Sequence, residues 1–147
     1  MDFESFEEIY KADENKQLNG VEVEFGLNAK DEPMTMIVAE IGNPNNRKVM
    51  RKYEKALESC RNNKKKRSLI WAKIVGESIL VNWKGILDKN KKEVKPTLEN
   101  KVLALVKYEK LFVDVMEAAQ DSERFRPDDS DAVEDSEKNL ENTSAGT

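Results

Sequence analysis

The sequence predicts a mainly α-helical, α+β domain: four to five helices packed with a short N-terminal antiparallel β-hairpin, then a disordered acidic tail. Three observations carry this. Apolar residues recur at three- and four-residue spacing over much of the stretch from Pro44 to Phe125, the period of a helix face. Only residues 21–41 switch to alternation and β-forming composition. Residues 127–147 are rich in Asp, Glu, Ser and Asn and have almost nothing apolar to bury, so the predicted domain spans residues 1–126.

Taken in order, Phe3, Phe6, Ile9 and Tyr10 in "FESFEEIYK" lie at helical spacing and predict a short amphipathic helix. Asn19-Gly20 is a turn dipeptide that ends this region. Val21, Val23 and Phe25 alternate with Glu22 and Glu24, as in a strand with one wet face, and "MTMIVAEI" is the returning strand. Gly42 closes it. Asn43 then suits the N-cap of a long helix, and Pro44 suits its first position, where the missing N–H has no partner to lose. The buried stripe of that helix is Val49, Tyr53, Leu57 and Cys60, widened by Met50.

"NNKKKR" interrupts the pattern, and Ser68 is expected to cap the next helix. Its stripe is Ala72, Val75, Ile79 and Trp83, with Trp71, Ile74 and Leu80 at the margins, which makes it the expected central helix. Trp83 should fold its ring into the core at the end of that helix, and Gly85 should permit a sharp exit. "ILDKNKKEVKP" reads as a short polar, two-stranded excursion before Thr97 caps a helix through Val102, Leu105 and Val106. The helical pattern resumes through Leu111, Phe112, Val115, Met116 and Ala119, either as a second helix or as a bent continuation.

The composition excludes more chemistry than it suggests. The chain has 147 residues, 38% apolar and 37% charged, sufficient for one modest core. No apolar run reaches membrane-spanning length, and the acidic start "MDFESFEEIY" is unlike a signal peptide. The single cysteine, Cys60, has no internal disulfide partner and sits on an apolar stripe, as expected of a small core residue in a reducing cytoplasm. There is no histidine, so imidazole bases, His-containing triads and most zinc sites are excluded. Phosphate-binding, dinucleotide, CxxC and HExxH motifs are absent as well. "DKNKKE" from Asp88 faintly resembles the start of a calcium loop, but lysines inside it would oppose a cation. The pairs Glu7-Glu8 and Asp128-Asp129 read as solvated surface. No catalytic, cofactor or metal-binding residues are assigned, and the chain is not expected to be an enzyme.

Charge is arranged in blocks beneath a net −4. Residues 1–46 carry eleven acidic and three basic side chains, residues 47–67 carry ten basic and two acidic, and residues 127–147 carry seven acidic and one basic. The basic block could follow a phosphate backbone. Its one interleaved aromatic, Tyr53, belongs to the apolar stripe, so a protein partner or a simple solvated face is preferred over nucleic acid, which is the alternative function. Met50, Trp71, Ile74 and Leu80, with Arg47, Arg51 and Lys55, are the expected partner-contacting residues.

The order of several elements resembles the tail assembly chaperones of long-tailed bacteriophages over roughly residues 20–126. An Asn-Pro segment opens a long helix (Asn43, Pro44, Arg47). A Trp-x-Gly-Ile-x-Asp turn follows (Trp83, Gly85, Ile86, Asp88). Then come a Thr-x-Glu-Asn helix start (Thr97, Glu99, Asn100) and a terminal run through Tyr108, Leu111, Ala119 and Phe125. The sequence departs from the family pattern twice. The corner's usual glycine is replaced by Asn90, Lys91 and Lys92, where Asn90 tolerates positive φ, and a proline before the last helix is replaced by "YEK", which favours a continuous helix. The resemblance implies a non-catalytic role without cofactors, in the cytoplasm of a bacterial host and outside the mature virion. The implied partners are the tape measure protein and, through a frameshifted longer form, the tail tube protein. Self-association is a further expectation; a membrane partner is not expected.

Overall fold

The computed structural model describes residues 3–128, which form six α-helices, a three-stranded sheet and a final 3-10 turn. The expected disordered tail lies outside the described residues except for Pro127 and Asp128.

The N-terminal region holds two helices rather than one, α1 (Glu4–Tyr10) and α2 (Glu14–Asn19). No apolar period signals α2. Asp13 nucleates it, its Oδ1 accepting from the backbone N–H groups of Asn15 at 3.0 Å and Lys16 at 3.2 Å, two donors that have no partner inside the helix. Strands β1 (Val21–Leu27) and β2 (Pro33–Val38) form the expected hairpin, with Val21 opposite Val38 and a bulge at Phe25.

Helix α3 (Pro44–Ser59) begins as expected: Asn43 Oδ1 accepts from the Asn46 N–H at 2.9 Å, and Pro44 occupies the first position. Helix α4 (Lys64–Ser78) begins earlier than expected. Asn63, not Ser68, is its cap, accepting from the Lys66 N–H at 3.1 Å. Lysine and arginine are good helix formers, so loss of the apolar stripe in "NKKKR" marks a solvated first turn and not an interruption.

The main correction concerns Leu80–Lys84. This segment is a third strand, β3, paired antiparallel to β2 with Met36 opposite Trp83 and Val38 opposite Leu80. Helix α4 ends at Ser78, so Trp83 closes the core from a strand and not from the end of a helix. Leu80 and Trp83 are three apart and would point to opposite faces of a regular strand. A bulge at Val81 restores them to the same buried side. Two strands alone are marginal in water, and the exposed edge of the hairpin recruits the five residues that the helical reading also fits.

Helices α5 (Leu98–Lys107) and α6 (Glu109–Gln120) are separate, joined by Tyr108 at φ −114°, ψ 90°. The continuous helix expected from "YEK" is therefore broken at one residue. That bend re-aims α6 so that Leu105 from α5 and Val115, Ala118 and Ala119 from α6 reach one core. The cluster is completed by Met36 and Val38 of β2, Ala72 and Val75 of α4, Ile79, and Leu80 and Trp83 of β3. One face of the sheet thus lies against a helical layer in which α4 packs between α3 and α5. No helix among the described residues is long and apolar enough to cross a membrane.

Candidate functional site: an apolar face beside a clamped corner

The segments that stood out in the sequence are first of all clamps. Asn43 Nδ2 donates to Glu40 O at 2.7 Å and Ser78 O at 3.2 Å, while Asn45 Nδ2 donates to Glu77 O at 3.2 Å. Asn46 Oδ1 accepts from the Gly42 N–H at 2.9 Å, and its Nδ2 donates to Ser78 Oγ at 3.0 Å, which itself donates to Ile74 O at 2.6 Å. The "NPNN" run thus caps the start of α3 and the free carbonyls ending α4 together, using groups that helix termini leave unpaired. Asn43, Asn46 and Ser78 are buried, so every donor spent there needs its acceptor.

The corner after β3 is tied with equal density. Trp83 Nε1 donates to Val94 O at 2.7 Å, Asn28 Nδ2 donates to Gly85 O at 2.9 Å, and the Val94 N–H donates to Ile86 O at 2.7 Å. Asp88 Oδ1 accepts from the N–H groups of Asn90 at 2.8 Å and Lys92 at 3.0 Å, an Asx turn that occupies its carboxylate. The positive φ of 61° falls on Lys91 and not on Asn90. Thr97 Oγ1 accepts from the Asn100 N–H at 3.2 Å, and Asn100 Nδ2 donates to Lys95 O at 2.9 Å, fixing the start of α5. Asn43, Pro44, Trp83, Gly85, Asp88, Thr97 and Asn100 therefore all sit in structural turns, caps or core.

Two charged groups inside this frame have shifted acidities. Lys101 is buried; its Nζ donates to Gly76 O at 3.3 Å in the last turn of α4 and to Val81 O at 3.1 Å at the bulge. A cation there complements the negative end of α4. Burial lowers its pKa from the ordinary lysine value. Glu77 bridges α4 to α3 through Lys52 Nζ at 2.7 Å. Burial by itself would raise the Glu77 carboxyl, but Lys52 and Tyr53 beside it outweigh that and hold it below the ordinary value.

What remains for a partner is a patch of apolar side chains that the fold leaves outside. Leu103, Val106 and Tyr108 are 61%, 48% and 55% exposed on and just after α5. Val106 is the ridge between two grooves. One, of about 490 Å3, is walled by Trp71 and Lys64 of α4, Leu105 of α5, and Phe112 and Met116 of α6. The other, of about 610 Å3, is walled by Leu69, Trp83, Ile86, Leu87, Val94 and the outer side of α5. The clamped corner is thus one wall of an apolar groove.

A family model for the YdaY prophage protein matches residues 41–138. The chain belongs to the YdaY prophage protein family. The match begins at the residue before Gly42 and takes in the Asn-Pro clamp, both grooves and the corner, so this family's shared region is the body that carries the apolar face. No curated protein and no solved structure matches the chain.

Within this YdaY-family body the expected partner-contacting residues separate. Trp71 lines the groove at Val106. Ile74 and Leu80 are 1% and 0% exposed and belong to the interior, not to the contact surface expected of them. Their marginal place on a helical wheel suggested an edge, but α3 covers one side of α4 and β3 removes Leu80 from the helix. Met50, Arg47, Arg51 and Lys55 lie on α3 and line neither groove. Leu69, Leu103, Val106 and Tyr108 are not among the expected partner contacts; Val106 is expected on the α5 stripe, and Tyr108 enters only through the motif order. Val106 reads as an ordinary member of the apolar α5 stripe with Val102 and Leu105, and only the packing of α4 and α6 shows that it stays open.

Proposed function

We propose that this prophage protein is a non-catalytic tail assembly chaperone, which binds the tape measure protein, keeps it soluble and helps recruit tail tube subunits during tail assembly in the host cytoplasm. The observation that carries the reading is the ridge at Val106 with an apolar groove on either side, on a chain otherwise rich in charge. An amphipathic helix laid along α5 would place anchors in both grooves at once, the helix-in-groove mode in which residues a turn apart supply the affinity. Lys64 at one groove and Lys107 at the other would orient an acidic-flanked partner and let it dissociate as salt rises. The order of motifs from Asn43 to Phe125 supports the tail-chaperone assignment in particular.

The test is co-expression with the tape measure protein of the same prophage. The full chain should co-purify with it and raise its soluble fraction, and Val106→Glu should abolish both while leaving the chain folded. If the tape measure protein is equally soluble and uncaptured with or without this chain, the reading fails.

A second reading is favoured by one observation: all ten basic residues between Arg47 and Arg67 are exposed, in a band over α3 and the start of α4. Nucleic-acid binding there predicts retention on DNA or RNA that falls steeply with salt and is lost when Lys64, Lys65, Lys66 and Arg67 become Gln. Absence of retention at low salt would sink it.

A further inference from the structure

Among the described residues, the apolar stripe of helix α1 is left largely uncovered. Phe3, Phe6, Ile9 and Tyr10 are 58%, 59%, 61% and 75% exposed, and the stripe is ordered by ring contacts of 5.9 Å between Phe3 and Phe6 and 6.3 Å between Phe6 and Tyr10. None of its residues is buried, and among the described residues Arg126 ties it to the body, Nη2 donating to Glu8 O at 2.9 Å. An aromatic stripe of this kind spends hydration free energy unless something covers it.

The same molecule carries an unfilled counterpart. The groove between α4 and α6, walled by Trp71, Val106 and Phe112, is apolar and has Lys64 at its edge, where the exposed first turn of α4 continues with Lys65, Lys66 and Arg67. The charges of α1 are the reverse: Glu4, Glu7 and Glu8 flank its stripe. Glu109 is the acidic exception in the groove wall.

We propose that α1 of one copy docks into the α4–α6 groove of a second copy, its aromatic stripe against Trp71, Val106 and Phe112 and its glutamates toward Lys64 and the basic first turn of α4. Shape class and charge sign both match, and both surfaces come from the one chain. The areas set the strength. Four side chains about three-fifths exposed offer on the order of 400–500 Å2, and with the groove side one contact buries roughly 900 Å2, below the size of a stable interface. A single contact should therefore be weak, whereas a reciprocal exchange of two α1 helices would bury roughly 1,800 Å2 and give a closed dimer. This inference is independent of the tape-measure reading, because it concerns the chain alone. The two meet only in that a partner helix in the same groove would displace α1.

The experiment is sedimentation velocity of the full chain from about 1 to 500 μM, a span that brackets affinities from micromolar to near millimolar. The unmodified chain should associate with rising concentration. Phe6→Asp, which damages the helix, and Val106→Asp, which damages the groove, should each remain monomeric by themselves, with unchanged circular dichroism. Phe6→Asp retains the groove and Val106→Asp retains the helix, so an equimolar mixture should recover one of the two contacts, a weaker hetero-association that emerges toward the top of the concentration range. A chain that is monomeric throughout overturns the proposal. So does association that either variant leaves intact, which would mean contact between two copies of one face, or a mixture that associates no more than the two variants alone.

Discussion

Asn46→Ala probes the clamp that joins the two long helices, and its cost can be worked from the bonds it removes. Truncation deletes the acceptor of the Gly42 N–H (2.9 Å) and the donor to Ser78 Oγ (3.0 Å). Each intramolecular hydrogen bond contributes about 1 kcal/mol net, and more where a partner is left dry and unpaired. Ser78 is buried and keeps only its donation to Ile74 O, while Gly42 is half-buried and can recover some water. Against this loss, alanine is the better helix former by about 0.6 kcal/mol, and position 46 lies in the first turn of α3. The balance is a destabilisation of about 2 kcal/mol, which for a chain of this length lowers Tm by about 8 °C. Urea unfolding of the wild type, Asn46→Ala, Ser78→Ala and the double variant supplies the check. The two single changes disrupt a shared bond, so the cycle should show a coupling of about 1 kcal/mol. A coupling indistinguishable from zero, or an Asn46→Ala variant within about 0.5 kcal/mol of wild type, would refute the clamp.

Three further predictions use contrasts within the fold. Gly85 and Gly42 have nearly equal φ, 77° and 80°, but a Cβ at Gly85 would lie 2.5 Å from Pro33 O, whereas one at Gly42 meets nothing within 4 Å. Gly42→Ala should therefore cost only the left-handed strain of about 1–2 kcal/mol, and Gly85→Ala clearly more, because backbone has to move; equal melting temperatures would contradict this. Glu77, held below the ordinary carboxylate value, binds protons less readily folded than unfolded, so its contribution is complete above the unfolded pKa of about 4.3 and is lost as pH falls through the lower folded value. The stability difference between wild type and Glu77→Gln, measured by urea unfolding from pH 7 down to 3, should be flat at neutral pH and shrink in acid. Lys101 runs the other way: its folded pKa lies below the unfolded value of about 10.4, so in the window beneath that value the unfolded chain holds more protons, and stability rises with pH. Wild type should gain on Lys101→Met between neutral pH and pH 10, and a constant difference would show that the buried lysine titrates as if in water.

Much of this protein was legible in its sequence because the signals act over a few residues. Asn43 and Thr97 cap the helices they precede, since a cap needs only a side-chain oxygen and an N–H three residues on. The alternation of Val21, Val23 and Phe25 placed the hairpin for the same reason, as each residue's face follows from its neighbours. Family membership rests on sequence alone, and with it the prophage origin. What depended on remote partners was not legible. Leu80–Lys84 satisfies both a helical and a strand pattern, and the unpaired edge of β2, more than forty residues earlier, decides for the strand. The bend at Tyr108 has no local cause in "YEK" and follows from the core that α5 and α6 share. Ile74 and Val106 show the limit most clearly: both are aliphatic residues at helical spacing, yet one is sealed in the interior and the other stands open between two grooves. Hydrophobicity declares that a side chain should be covered; only the packing of α4, α5 and α6 decides which one the protein leaves for something else to cover.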